Sequence, residues 1–558
     1  MKWLLDVRFI SAVAMLSLAG CSSGDMTSND HQPLAGNDQP SGAATTPNAD
    51  APARLAADAP YADPLLYSAG KDGQLAQAQE AAAVTHRTLT VHGKTFAYTA
   101  TAGHLTAYNA TTAVPDASVF YIAYTADGSS GKSEPSRPVT FLYNGGPGSS
   151  SIWLLMGSFG PVRIITDMPN PTPPAPFNIV MDNAESILDK TDMVFIDAVG
   201  TGLTTAVSPK QNQDFWGVDS DANVFSEFIF RYLTVNDRWN SPKFLLGESY
   251  GTTRSAVLGL VLQNAGIELN GIGLQSSILN YKTNANAPGS LPSLGVSAWY
   301  HKKVDASFQS LSAADFAAYL RKFSSEQYAP ALDKLKNKQL NATDEAALAA
   351  QLQKLTGIDA NTWITNNLVL GRATFRNTLL PGKVLGRYDA RALGDATAGS
   401  FDPSNAYIEG VYVAMFESYL RNQLKYSTNS PFAPTTNVTW NFSHNGASDG
   451  PDVTPDLADT MVQNPDLKVL SLNGYYDLAT PFFQTEVDIA GLTVDQELSK
   501  NVTFGFYESG HMSYLDNASR MKENADIEHF YDSVLADHDR VQRIMMRQSA
   551  PRGQIVLK

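Results

Sequence analysis

The chain has 558 residues, 43% of them hydrophobic and 10% aromatic, which is enough apolar mass to bury a large core. A formal net charge of −15 excludes a nucleic-acid partner, because no basic surface is available to displace counterions from phosphates. Cys21 is the single cysteine, so no intrachain disulfide can form.

The first elements are targeting signals. Phe9 to Gly20 form an apolar run of signal-peptide length, too short to span a bilayer, preceded by Lys2 and Arg8. The run closes in Leu18-Ala19-Gly20-Cys21, which resembles the lipobox of bacterial lipoproteins, where the cysteine is lipidated and becomes the mature N-terminus. That resemblance implies a signal peptide over residues 1–20, a membrane partner reached through a lipid anchor at Cys21, and location in the outer membrane or periplasm. Ser22 after the cysteine favours the outer membrane. The alternative is a plain secretory signal with an incidental thiol; both export the chain. Ser22 to about Pro60 is rich in Ser, Gly, Asn, Asp, Pro and Ala and lacks the large apolar residues that could order it, so residues 21–84 are expected as a disordered tether.

Alternating segments such as Arg87–Val91 and Ser118–Tyr124 then read as strands. From about residue 138 apolar strands alternate with helices, the pattern of a mostly parallel sheet covered on both faces. Predicted strands are Val139–Tyr143, Met193–Asp197, Lys243–Leu246, Gly271–Gln275, Lys468–Leu472 and Val502–Tyr507, with a helix at Asp219–Leu233. The strand series stops after about residue 285, and segments such as Ala313–Lys322 and Asp344–Leu355 read as helices. The fold class expected is α/β, with residues 85–294 and 456–558 forming the sheet domain and 295–455 a largely helical cap inserted over the sheet's C-terminal edge.

Lys243-Phe244-Leu245-Leu246-Gly247-Glu248-Ser249-Tyr250-Gly251 carries the most chemistry. A short apolar strand feeds a G-x-S-x-G turn, and a helix-forming run over Ser255–Leu262 follows. Small residues two before and two after the serine allow the sharp turn that lifts Oγ clear of a sheet. The helix behind it points N–H groups at developing negative charge. A serine nucleophile also needs a base, an orienting carboxylate and an oxyanion hole. Downstream, Asp477 follows the Lys468–Leu472 strand, and His511 stands in a Gly-His pair after the Val502–Tyr507 strand. The order Ser, acid, His is that of α/β-hydrolases. Upstream, Asn144-Gly145-Gly146-Pro147-Gly148-Ser149-Ser150-Ser151 follows the Val139–Tyr143 strand, where glycines let backbone N–H groups approach a carbonyl oxygen.

Taken together, the NGGPG-S-S loop, the following Gly160-Pro161, Phe195–Leu203, GESYG, Asn473–Asp477 and Gly510-His511-Met512 resemble the serine carboxypeptidase family. The resemblance implies an α/β-hydrolase fold with Ser249 as nucleophile, His511 as general base and acid, and Asp477 as its orienter. It places the oxyanion-hole N–H groups on Gly146 and Tyr250, and a clamp for the substrate's terminal carboxylate on Asn144, Gly145 and Glu248. Its partners are peptides with a free C-terminus, and it calls for neither metal nor cofactor. The chain departs from the family pattern at three places. Ser149 replaces the usual cysteine, which leaves the cap to be held by packing; Ser158 replaces a glutamate of the carboxylate network; and Thr252-Thr253-Arg254 continue the elbow, with Arg254 read as a helix-surface residue and a site charge as the alternative.

Three functions remain open at this point. The first is a serine-type carboxypeptidase working through an acyl-enzyme. The second is an esterase or acyltransferase on the same triad, which would have no use for a carboxylate clamp. The third is a non-catalytic surface lipoprotein.

Overall fold

The computed structural model describes residues 55–128, 134–397, 401–448 and 450–549. The expected signal peptide and Cys21 lie outside them.

Ten strands build one sheet. Its spine is six parallel neighbours in the spatial order Val502–Tyr507, Lys468–Gly474, Gly271–Gln275, Lys243–Glu248, Val139–Tyr143 and Asp192–Ile196. Pro115–Ala126, Lys94–Tyr108 and Ala82–Val91 continue it as an antiparallel flank. The parallel strands over 139–143, 192–196, 243–248 and 271–275 are buried at every residue, as strands covered on both faces must be. Alternation sorts them. Phe141, Tyr143 and Leu245 join the apolar cluster of one face with Phe225, Phe228 and Leu258, while Leu142, Phe244 and Leu246 join the other with Phe530 and Tyr531. This is the expected α/β-hydrolase arrangement. From Val139–Tyr143 the chain moves to one neighbour, Asp192–Ile196, and then returns to the other side at Lys243–Glu248. The crevice at the carboxyl ends of the two strands on either side of that reversal is where open α/β sheets place their ligands.

Lys94–Tyr108, the longest strand, has no counterpart among the sequence expectations. Its run of Ala, Thr and Gly lacks a clear period, but His92 and Gly93 both take positive φ and close a tight hairpin onto Ala82–Val91. Gly103 is required there, since a Cβ would lie 2.2 Å from the Ala81 carbonyl oxygen.

Two boundaries differ from expectation. Part of the segment expected as tether is structured: Tyr61–Asp63 pairs with Tyr426–Thr428, and Tyr67 and Leu75 are buried. Sparse apolar residues among turn formers hid this segment, because its partner strand lies more than three hundred residues away. The insertion divides as well. Helices at Ala287–Tyr300, Ala313–Phe323 and Ala342–Thr356 form their own apolar cluster with Tyr475, Tyr476, Phe482 and Phe483 beside the Asp477 loop. The remainder returns to the sheet domain. Tyr412, Phe416 and Tyr419 of the Glu409–Asn422 helix share the cluster of Trp153 and Tyr124, and Ser149, Gly202 and Gly217 bridge to Thr435, Ala433 and Asn441.

Candidate active site

The strand Lys243–Glu248 ends directly at Ser249, and the helix Tyr250–Asn264 begins at the next residue. Ser249 takes φ 60° and ψ −126°, a strained conformation that the flanking glycines make room for. A Cβ on Gly247 would stand 2.2 Å from the Gly251 carbonyl oxygen, and one on Gly251 would stand 2.9 Å from that of Tyr143. Ser249 is half-buried and lines a cavity of about 340 Å³ with Asn144, Gly145, Gly146, Glu248 and His511.

His511 is buried on the loop after Val502–Tyr507, and its Nδ1 lies 2.7 Å from Oδ2 of Asp477. Asp477 is itself held: the Ala479 and Thr480 N–H groups donate to Oδ1 at 2.7 and 3.0 Å, and the Thr480 hydroxyl donates to Oδ2 at 2.7 Å. The His511 backbone is pinned too, its N–H donating to the Tyr388 carbonyl and its own carbonyl accepting the Ser276 hydroxyl at 2.6 Å. Burial opposes protonation of the imidazole, but the charge and hydrogen bond of Asp477, with Glu248 nearby, outweigh it and hold its pKa above the ordinary value.

The glycine loop lies against the elbow. A Cβ on Gly145 would come within 2.4 Å of the Tyr250 nitrogen, and Gly146 takes φ +105°. The Tyr250 N–H opens a helix and has no intrahelical acceptor. The loop is tied down from outside by Ser150 N–H on the Pro434 carbonyl and Thr436 N–H on the Gly148 carbonyl, while Ser149 accepts the Trp153 indole N–H at 2.8 Å. Backbone bonds and ion pairs such as Arg391–Asp516, besides packing, therefore fasten the insertion, which corrects the expectation of packing alone.

The residues expected to clamp a terminal carboxylate meet at Glu248. Asn144 Oδ1 accepts the Leu154 N–H at 3.0 Å, which fixes the amide so that Nδ2 donates to Glu248 Oε1 at 2.9 Å. One amide hydrogen is left over. Glu248 is buried, and burial pushes its carboxyl up to about 7 against the opposing effects of His511, Tyr514 and Asn144. Tyr514, three residues past His511, donates its hydroxyl to Oε2 at 2.6 Å. It was not among the expected site residues, and its only signal was proximity to the histidine. It gives Glu248 a second partner where Ser158 offers none, since the Ser158 hydroxyl turns back to the Leu154 carbonyl.

Arg254 is buried, not on the helix surface. Its guanidinium donates to both oxygens of Asp221 at 2.7 and 3.1 Å and to the Asn144 carbonyl at 2.8 Å, so it braces the start of the glycine loop. The helix behind the elbow is buried around its first turns, so no polar face was available for the sequence pattern to reveal. Asp197, in the Phe195–Leu203 segment, accepts the Ser151 N–H at 2.8 Å, and a Cβ on Gly202 would overlap its carboxylate. Among the described residues no group of His, Cys, Asp and Glu is arranged to hold a metal ion.

A family described as serine carboxypeptidase matches residues 93–513. No curated protein sequence matches the chain. Among solved structures, the chain is similar to the prohormone-processing carboxypeptidase Kex1 of Saccharomyces cerevisiae, with 17% identity over 78% of this chain and 91% of that one and a TM-score of 0.48. It is also similar to a proline iminopeptidase of Mycobacterium smegmatis, at 15% identity over 81% and 100% of the two chains with a TM-score of 0.32. A thermostable carboxyl esterase of Bacillus coagulans matches at 14% identity over 78% and 98%, with a TM-score of 0.31.

Proposed function

The chain belongs to the serine carboxypeptidase family, and from that premise we propose that it releases residues one at a time from the free C-terminus of peptides through an acyl-enzyme on Ser249. His511 accepts the Ser249 proton as Oγ attacks the scissile carbonyl carbon, with Asp477 holding the imidazole in the tautomer that presents Nε2. The oxyanion meets the N–H groups of Gly146 and Tyr250. The imidazolium returns its proton to the leaving amine, and water then cleaves the acyl-enzyme by the same route in reverse.

The observation that carries the exopeptidase reading is the buried carboxyl of Glu248, hydrogen-bonded to Asn144 beside the serine and pushed up to about 7. A carboxyl that keeps its proton near neutrality can share it with a substrate carboxylate, whereas two charged carboxylates would repel. An esterase has no use for this arrangement. We also read the chain as an exported lipoprotein anchored through Cys21.

The test is a mixed peptide library digested by the purified protein and read by mass spectrometry. Successive single-residue losses from the C-terminus are expected, and Ser249→Ala should abolish them, with a loss of about a million-fold. Hydrolysis of simple esters with peptides left intact would overturn the exopeptidase reading.

A further inference from the structure

The cavity above Ser249 contains one cation, beyond the clamp and triad, that has no acidic partner. Arg387 lines it, and among the described residues its guanidinium makes no ion pair, resting instead over the Tyr388 ring at 5.3 Å. The Tyr388 ring in turn lies 5.1 Å from the His511 ring.

This placement is built, because the backbone around Arg387 is fastened to both catalytic loops. Its carbonyl accepts the Leu478 N–H at 3.0 Å, one residue past Asp477, and the next carbonyl accepts the His511 N–H at 2.6 Å. Its own N–H donates to Asp402 at 2.9 Å. The acidic groups on the same wall are otherwise engaged: Asp402 takes Arg376 and Ser404, and the exposed Glu409 takes the Asn405 amide. Arg372, close enough to influence Arg387, donates to the Ala479 carbonyl and adds to the positive charge of that side. An exposed guanidinium at the cavity wall, on a fastened backbone, whose five donors lack a carboxylate is suited to receive one from the substrate.

We propose that Arg387 is a specificity-determining residue that pairs with a second substrate carboxylate, an Asp or Glu side chain adjoining the scissile bond, in addition to the terminal carboxylate. The proposal rests on the carboxypeptidase reading. The acidic side chain can belong to the released residue or to the one before it, and the two are separable by experiment.

Two peptide series ending in a free acid would be compared, one varying the released residue and one varying its predecessor through Glu, Gln, Lys and Ala. On wild type, kcat/KM for Glu should exceed that for Gln by about three- to fivefold in one series, in line with an ion pair to an exposed guanidinium. Arg387→Gln should bring that ratio near one, Arg387→Lys should restore part of it, and Arg387→Glu should invert the order in favour of Lys. The series that responds identifies the subsite. Ratios that stay the same in all variants, even if every rate falls together, would overturn the proposal and leave Arg387 a structural residue. If wild type releases Ala yet does not distinguish Glu from Gln, the Arg387 proposal fails alone. If wild type releases nothing from any peptide acid, the carboxypeptidase reading has failed beneath it.

Discussion

The Tyr514 hydroxyl donates to Oε2 of Glu248 at 2.6 Å, and with His511 and Asn144 this bond eases loss of the glutamate's proton against burial. A donor to a carboxylate favours the charged form, so Tyr514 holds down a pKa that burial raises to about 7. Tyr514→Phe removes that restraint. The Glu248 pKa rises further, and the alkaline fall in kcat/KM for peptide acids moves to higher pH. The carboxyl also loses an orienting bond worth about 1 kcal/mol, so KM should rise about fivefold. Profiles measured from pH 5 to 9 decide the point, and an alkaline limb that stays put or moves down would show that Tyr514 does not act on Glu248.

Much of this site was legible before folding because its signals are local. The strand, turn and helix around Ser249 lie within a single stretch, and the positions of Asp477 and His511 follow from short strands rich in apolar residues just before them. The partners that tune the site were hidden for the opposite reason. Tyr514 reaches Glu248 across 266 residues and Arg254 reaches Asn144 across 110, and no sequence period records such contacts. The same holds for Tyr61–Asp63, whose strand partner is Tyr426–Thr428.

Arg254 and Asp221 form a buried ion pair, with side chains almost wholly removed from solvent. Arg254→Met leaves the Asp221 carboxylate uncompensated and the Asn144 carbonyl without its donor. Breaking such a pair from one side costs about 3–5 kcal/mol, which urea unfolding would resolve. Burial already raises the Asp221 pKa, and losing the guanidinium raises it more. A carboxyl whose folded pKa exceeds its unfolded value costs nothing while protonated in both states. The penalty therefore appears as pH climbs above the unfolded value and is complete above the folded one. The variant should be least impaired near pH 4 and most impaired at neutrality, and Asp221→Asn in the same chain should recover part of the loss. A variant as stable as wild type at pH 7 would remove Arg254 from this role.

Lipidation of Cys21 would be the chain's attachment to the membrane on the lipoprotein reading. Cys21→Ala should then appear in the soluble fraction with its activity on peptides retained, since acyl chains supply the binding energy at that end. Fractionation followed by a peptide assay measures both properties. Continued sedimentation with membranes after high-salt washing would exclude Cys21 as the anchor.

Glu248→Gln makes the sharpest test of the clamp. On the carboxypeptidase reading the glutamate would bind a terminal carboxylate well only while one proton is available to the pair, so affinity should decline as pH rises through about 7. His511 acts against this at the acid end, because it must be neutral to accept the Ser249 proton and its pKa is held above the ordinary value by Asp477. The result for peptide acids is a bell whose alkaline limb belongs to Glu248 and whose acid limb belongs to His511. Glutamine has the same shape and donates a hydrogen bond at every pH, so the variant should keep the acid limb and lose the alkaline one. A peptide amide carries no terminal carboxylate, and its profile on wild type should already lack the alkaline fall. The four profiles, acid and amide on each protein, distinguish the two limbs. If acid and amide superimpose on wild type, Glu248 holds no substrate carboxylate and the site is better described as that of an esterase.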